Sequence, residues 1–305
     1  MDITLSVDCI HVGHGDCTLI TANSDAEWSC IIDVGKGDSG SYKSIHKVLQ
    51  ERNIKRIDLA ILTHFDSDHI GGFNHLANDV EIVKYWSPYT PAIEKYRWLF
   101  GERGEKAVTA AMMIEKRLLE LDTILESPTE GYVISPIRGL RVKVLSPPIK
   151  LYQHLLMAKY DIHALQDFDS ILGSLVTEDY DEVEQISREA RSMYNRYVNG
   201  TIVRNIAEEN TTKSSVANSQ TQRGVNAFEP EFFGNRALNN TSLVTKIEFW
   251  TGMQWYSLLF PGDLENWIYL LAARPDSLVS NFYKASHHGG KLYYTSMARK
   301  MQLMK

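Results

Sequence analysis

The densest chemistry in the sequence lies in Thr63-His64-Phe65-Asp66-Ser67-Asp68-His69-Ile70-Gly71-Gly72, where two imidazoles and two carboxylates fall within six residues, His64 to His69. A mixed set of this kind suits zinc, manganese or iron(II) better than magnesium alone. The apolar, β-forming run Leu59-Ala60-Ile61-Leu62 comes directly before it. A strand that ends in such a loop fixes one end of it, so ligands converge with little further ordering entropy. Gly71 and Gly72 are expected to let the backbone turn sharply and pass close to bound ions. The plain alternative is an exposed acidic turn holding two incidental histidines. It leaves the preceding strand and the two glycines without a reason.

Two more polar clusters share this layout. Asp263 follows the apolar run Trp255-Tyr256-Ser257-Leu258-Leu259-Phe260, and His287-His288 follow Ser280-Asn281-Phe282-Tyr283-Lys284-Ala285. Strand ends of one layered sheet meet at an edge, so groups remote in sequence can gather there. Alone, Phe260-Pro261-Gly262-Asp263 reads as a β-turn; beside the other clusters, Asp263 reads as a carboxylate bridging two ions, with Gly262 permitting close approach.

The elements that must position these groups are legible from periodicity. Ile3 to Ile10 alternates as a half-buried strand, Thr18-Leu19-Ile20-Thr21 is a second, and Cys30-Ile31-Ile32-Asp33 is a short apolar third. Tyr42 to Asn53 places Ile45, Val48 and Leu49 at helical spacing, and a short helix is expected from about Phe73. From Tyr85 to Gly104 the chain is aromatic and rich in turn residues. Lys106 to Leu125 reads as one long amphipathic helix, its Met112-Met113 pair filling core. Leu140 to Leu145 alternates as a strand that Pro147-Pro148 stops. Ser242 to Trp250 and Trp255 to Phe260 restore sheet character, Leu264 to Ala273 reads as a helix, and Ser280 to Ala285 as the last strand. Layered sheets covered by helices follow from this order. Between about 149 and 236 the character changes to a mainly helical insertion: an acidic helix over 176–198, then a polar loop over 205–226. The run Glu178 to Glu184 reads as a solvated helix face.

At 305 residues, 44% hydrophobic and 23% charged, the composition is that of a soluble globular protein with a sizeable core. No apolar run reaches the roughly 20 residues that span a bilayer, and Met1-Asp2-Ile3-Thr4-Leu5 lacks a signal peptide's basic and apolar regions, so no membrane partner and a cytoplasmic location are expected. Cys9, Cys17 and Cys30 form no Cys-x-x-Cys pair and read as reduced core residues on strands. A net charge of −6 argues against gripping duplex DNA by phosphate neutralisation alone. It leaves a phosphodiester substrate open, because bound cations supply local positive charge.

The segment His64 to His69 resembles the His-x-(His/Asp)-x-Asp-His signature of the metallo-β-lactamase fold hydrolases. Asp66 at its second alternating position resembles the subgroup typified by the soluble domain of the ComEC DNA-uptake channel. Other segments extend the resemblance over most of the chain outside the insertion. His11-Val12-Gly13-His14-Gly15-Asp16 is similar to that group's Asp-Val-Gly-Gln-Gly-Asp opening, and Ile31-Ile32-Asp33-Val34-Gly35 to the family's first aspartate motif. Leu145-Ser146-Pro147-Pro148 and Asn239-Asn240-Thr241-Ser242-Leu243-Val244 look like its Leu-x-Pro and Asn-Asn-x-Ser-Leu-Val elements. Leu259-Phe260-Pro261-Gly262-Asp263 and Lys284-Ala285-Ser286-His287-His288-Gly289-Gly290 resemble its Thr-Gly-Asp and Lys-Val-Pro-His-His-Gly-Ser segments.

The resemblance implies an αββα four-layer sandwich of the α+β class, one domain over residues 1–305, with two divalent ions, Zn²⁺ or Mn²⁺. His64 and Asp66 would hold one ion, Asp68 and His69 the other, Asp263 would bridge, and His288 would ligate. Asp33 would support the loop without ligating. Asp16 would ligate or orient; His11 and His14 are weaker candidates. His287 would face the substrate. Two departures stand out. The wider family supplies a further histidine where this chain has Asn239, Asn240 and Ser242, which leaves one position weaker or filled by water. Only fifteen residues follow Gly290, where relatives add a strand and a helix. The implied activity is a phosphodiesterase or nuclease acting on nucleic acid or nucleotides through a metal-activated water, with Asp68 and His287 as catalytic groups. No Gly-x-Ser-x-Gly or P-loop suggests another route. Trp86, Tyr89, Tyr96 and Trp98 either pack or form a base-stacking wall beside the insertion. The insertion could also carry a protein partner or a second copy. The rival readings are a hydrolase of small esters or lactones on the same site, and a partner-binding module with a vestigial site.

Overall fold

The computed structural model describes residues 3–95, 101–152, 238–265 and 267–289. The acidic helix over 176–198, the polar loop over 205–226, Tyr96 and Trp98 lie outside them, as does nearly all of the insertion. The chain opens with β1 (Thr4–Cys9), β2 (Thr18–Asn23) and β3 (Glu27–Ile32), then α1 (Ser39–Glu51). The Asp38 side chain caps α1 by accepting from the backbone amides of Gly40 and Ser41, and Ile45 and Leu49 are its buried face. Next come β4 (Arg56–Ile57), β5 (Leu59–Ile61), α2 (Ser67–Ile70), α3 (Phe73–Asp79), β6 (Glu81–Ile82), β7 (Lys84–Trp86) and α4 (Thr90–Glu94). They are followed by α5 (Gly101–Glu120), β8 (Ile124–Glu126), β9 (Val133–Ile134) and β10 (Leu140–Ser146). After the insertion come β11 (Val244–Trp250), β12 (Trp255–Phe260), α6 (Ile268–Ala273) and β13 (Phe282–Tyr283).

Two sheets carry the architecture. One is six-stranded in the order β1-β2-β3-β5-β7-β8, the other five-stranded in the order β13-β12-β11-β10-β9; β4 and β6 form a separate pair. The side chains that alternate inward from both sheets meet in one core, with Ile20, Ile32, Ile61 and Trp86 facing Val142, Val144, Ile247 and Phe260. The opposite face of the larger sheet, with Leu19, Ile31, Ala60 and Tyr85, packs on Ile45, Phe73, Val108 and Leu118 of the helices. Leu259 of the smaller sheet and Leu270 of α6 belong to that same outer cluster. The arrangement is the expected mixed α/β sandwich.

Register brings the polar clusters to one edge. β3 and β5 run parallel, pairing Ile32 with Ile61, so Asp33 and Thr63 leave the sheet side by side. β12 and β13 run parallel as well, pairing Leu259 with Tyr283, so the chain after each emerges at the same end. The Leu243 amide donates to the Thr63 carbonyl at 2.9 Å and joins the two sheets there.

Several expectations need correction. The long helix ends at Glu120, because Asp122 takes a left-handed φ of 61° and the Thr123 amide turns back to the Leu118 carbonyl; Leu125 then belongs to β8. Met113 is 65% exposed, so only Met112 of that pair packs on the core. α6 begins at Ile268, after the Leu264 amide closes a turn on the Pro261 carbonyl. The last strand pairs over only Phe282–Tyr283. Cys9 is exposed and Cys17 precedes β2, so only Cys30 is a buried cysteine on a strand. Trp86 and Tyr89 are fully packed, which rules them out as an open stacking wall.

One buried acid lies apart from the polar edge. Glu115 on α5 accepts from the hydroxyls of Ser87 and Thr90, while its second oxygen is buried without a partner. Burial raises its pKa from 4.5 to about 7, against the pull of those two hydroxyls. The fold thus favours the protonated acid. Its contribution is whole below pH 4.5 and is lost as pH rises through 7, by up to about 3 kcal/mol. Glu115→Gln removes that titration. Urea unfolding at pH 5 and pH 8 should show the wild type losing about 2.5 kcal/mol more than the variant across this interval, since part of the contribution is already gone at pH 5; equal losses would contradict the assignment.

Candidate metal centre

The site is built on Asp33. Its residue has φ of 56°, a left-handed conformation that aspartate tolerates better than most side chains. Oδ1 accepts from the Thr63 amide at 2.8 Å, and Oδ2 accepts from Thr63 Oγ1 at 2.8 Å. Oδ2 also lies 2.8 Å from His69 Nδ1. His64 Nδ1 is 3.1 Å from Thr63 Oγ1. Each histidine therefore spends its Nδ1 on the scaffold, which leaves Nε2 facing inward. Both Nε2 atoms are buried and without a hydrogen-bond partner. The two ring centroids are 4.1 Å apart.

Asp68 and His69 share the single turn of α2, and Asp66 precedes it. Gly71 and Gly72 have φ of −58° and −81°, so they do not turn the chain sharply as expected. Their role is close backbone approach. A Cβ at Gly71 would sit 2.0 Å from the Lys36 carbonyl oxygen, and one at Gly72 would sit 2.1 Å from that of Val34. The loop after β3 is thereby pressed against α2.

The other sheet supplies Asp263. Gly262 has φ of 58°, and a Cβ there would meet Thr63 Cβ at 2.6 Å, so the Asp263 turn lies directly on the organising loop. Asp263 Oδ2 is 3.8 Å from His64 Nε2 and 3.4 Å from His288 Nε2, while Oδ1 is 3.4 Å from His69 Nε2. His288 Nε2 also lies 3.3 Å from Asp68 Oδ2, and Asp66 Oδ2 lies 4.0 Å from His64 Nε2. Donor atoms around a tetrahedral zinc are about 3.3 Å apart, given zinc–nitrogen bonds of about 2.0 Å. Spacings of 3.3 to 4.0 Å thus fit shared cations. Ligand atoms of Asp16, His69, Asp263 and His288 lie within 4.8 Å of one another, as do those of His14, Asp68 and His288.

His287 and His288 take left-handed φ of 48° and 51°, a rare conformation for consecutive histidines. Ser286 helps to hold them, its hydroxyl reaching the Gly262 and Leu264 carbonyls. His288 Nδ1 is 3.4 Å from Asp16 Oδ1, and Asp16 in turn pairs with Lys284. Such a carboxylate orients an imidazole. His287 points Nδ1 at Glu265 Oε1, 3.1 Å away, with Nε2 at 3.9 Å from Asp263 Oδ2. Asn239 donates to the same Glu265 oxygen at 3.0 Å. Glu265 was missed by motif reasoning; its only signal was its place two residues after Asp263. Asn240 and Ser242 are buried where β11 begins, and His11 is exposed.

Electrostatics follow from this geometry. Burial, then the neighbouring His69, lowers His64 to about 4, which keeps its imidazole neutral and able to accept or ligate. Burial opposes a charge on His69, but Asp33 and Asp263 overcome it and hold the ring's pKa above its usual value. Burial likewise opposes ionisation of Asp263, and His64, His69 and His288 outweigh it, so the carboxyl stays well below its usual range. Asp68 behaves the same way beside His288 and His69. The donor set places the Nε2 of neutral His64, buried without a hydrogen bond, and the Nε2 of His69 against the carboxylates of Asp263, Asp66 and Asp68, a nitrogen–oxygen set that fits divalent cations.

Asp33→Asn tests the scaffold without opening a cavity. An amide group replaces one acceptor where three donors converge, so the variant should lose about 2 kcal/mol of stability and tenfold to a hundredfold in metal affinity, with every ligand intact. Chemical denaturation and chelator competition read the two effects; unchanged metal affinity would contradict the role.

The family model described as metallo-beta-lactamase superfamily matches residues 11–146. That span holds Asp16, Asp33 and the whole loop from His64 to His69. A comparison with curated proteins gives no match. Among solved structures, a Thermotoga maritima protein assigned to the metallo-beta-lactamases aligns over 48% of this chain and 66% of its own, at 15% identity and a TM-score of 0.31. A metallo-beta-lactamase from Pontibacter korlensis aligns over 47% of this chain and 55% of its own, at 13% identity and a TM-score of 0.27. A subclass B3 metallo-beta-lactamase from a soil metagenome aligns over 70% of this chain and 95% of its own, at 13% identity and a TM-score of 0.33. The chain thus spans between half and two thirds of the length of the first two. No helix among the described residues is long and apolar enough to cross a membrane. Residues 11–146 carry a metallo-β-lactamase superfamily domain, and the mixed α/β fold described above is the fold of that superfamily.

Proposed function

We propose that the chain is a metal-dependent hydrolase of phosphodiesters in nucleic acid or nucleotides, allied to the ComEC-type group. The superfamily consists in general of metal-dependent hydrolases, which supports the reaction class. The observation that carries the reading is the pair of buried, partnerless nitrogens, His64 Nε2 and His69 Nε2, that face Asp263. In this reading His64 and Asp66 would hold one ion, Asp68, His69 and His288 would hold the other, and Asp263 would serve both. Zinc and manganese both suit this nitrogen–oxygen set. When bound, the ions supply Lewis acidity: they make water a nucleophile near neutral pH and stabilise charge on phosphoryl oxygens.

The chain's own groups do the rest. Asp68 orients the attacking water and can take its proton, because its carboxylate stays ionised beside His288 and His69. Asp33 and Asp16 keep the rings of His69 and His288 turned inward. Glu265 lies 3.1 Å from Nδ1 of His287, and the ring, on a side chain 36% exposed, stands beside Asp263 where it would meet the leaving oxygen. Glu115 and the apolar core play no part in the step.

The purified protein should hold two equivalents of zinc or manganese and cleave single-stranded DNA and a chromogenic phosphodiester. Asp263→Asn should lower turnover by on the order of a hundredfold or more. Turnover confined to small carboxylic esters or lactones would assign the other substrate class. Retention of no stoichiometric metal, or full function in Asp68→Ala, would leave a binding module instead.

A further inference from the structure

The Gly13-His14-Gly15 turn carries an imidazole that the reading above leaves unused. His14 Nδ1 lies 3.0 Å from Asp68 Oδ2, although the side chain is 75% exposed. Its ring stands edge-on to His288, with centroids 5.3 Å apart and planes at 81°. The ligand atoms of His14, Asp68 and His288 all fall within 4.8 Å of one another. His69 Nε2, fully buried and partnerless, faces the Asp263 carboxylate that also contacts His288.

The turn is anchored to the site by its backbone. The Asp16 amide donates to the Asp68 carbonyl at 3.3 Å, and the Gly35 amide donates to the Asp16 carbonyl at 2.9 Å. Gly15 has φ of 118°, and a Cβ there would lie 2.1 Å from the Asp68 carbonyl oxygen. No other residue type allows so close an approach. The backbone that presents His14 is thus pinned over the backbone that presents Asp68. His14 is 75% exposed, so its contact with Asp68 alone offsets little of the cost of ordering its ring. Coordination supplies a stronger reason for a histidine at this position.

We infer that His14 is an additional metal ligand, joining Asp68 and His288 on the solvent side of the site. The inference rests on the two-ion reading and extends it, because it adds a further imidazole to the more open position, that of Asp68 and His288. An added imidazole there biases that position toward zinc over manganese. The chain would also then hold the outer ion with a side chain from the turn before β2, a segment separate from the loop of α2.

The test compares wild type, His14→Gln and His14→Ala by chelator competition with zinc, alongside histidine-ring NMR of the wild type during zinc titration. The inference predicts two equivalents bound by the wild type. Both variants should bind one equivalent about tenfold or more weakly, with the other equivalent unchanged. The His14 Nδ1 resonance should shift with the weaker equivalent. Wild-type affinity for both equivalents in His14→Gln would overturn the inference and leave the two-ion reading standing, since glutamine can still bond to Asp68. A wild type that binds no zinc would overturn both.

Discussion

The Asp33 carboxylate, buried at the end of β3, accepts from the Thr63 amide and hydroxyl and holds His69 by Nδ1. Everything else in the site depends on that contact. A carboxylate with so little exposure is unfavourable unless each lone pair is matched, and here the donors come from the loop that must be ordered. The same bonds fix which nitrogen of His69 faces Asp263. One buried charge thus joins the larger sheet to the loop that carries four candidate ligands.

The two sheets divide the work. The parallel pair β3 and β5 delivers Asp33 and the His64–His69 loop, while β12 and β13 deliver Asp263 and the His287-His288 turn. Gly262, packed on Thr63, and the Leu243 amide, donating to the Thr63 carbonyl, lock the two contributions together. Thr63 is therefore the point at which sheet packing becomes site geometry. The apolar core between the sheets, with Trp86 and Phe260 fully buried, keeps both strand ends from shifting independently.

Much of this was legible in the sequence because the site is encoded locally. The His64–His69 spacing, the apolar strand before it and the Pro261-Gly262-Asp263 turn each signal themselves. Asp33 was visible only through the resemblance, since one aspartate after a strand has many uses. Glu265 carried no signal beyond its place two residues after Asp263: its role comes from a contact with Asn239 and His287 across loops far apart in sequence. The reason for Gly71 and Gly72 was misread, because the need for close backbone contact with residues 34–36 arises only in three dimensions. Helix ends slipped for a similar reason. The apolar stripe of α5 continues smoothly into Leu121 and Leu125, and only the left-handed Asp122 reveals the break.

The central claim is that His64, Asp66, Asp68, His69, Asp263 and His288 surround a shared pair of cations. A crystal grown with zinc, with anomalous data collected on both sides of the zinc edge, tests this most directly. The account predicts two anomalous peaks within about 2.0–2.2 Å of these nitrogen and oxygen atoms, with the Asp263 carboxylate touching both. Anomalous density elsewhere, with His64 Nε2 and His69 Nε2 bonded only to water or protein, would contradict it.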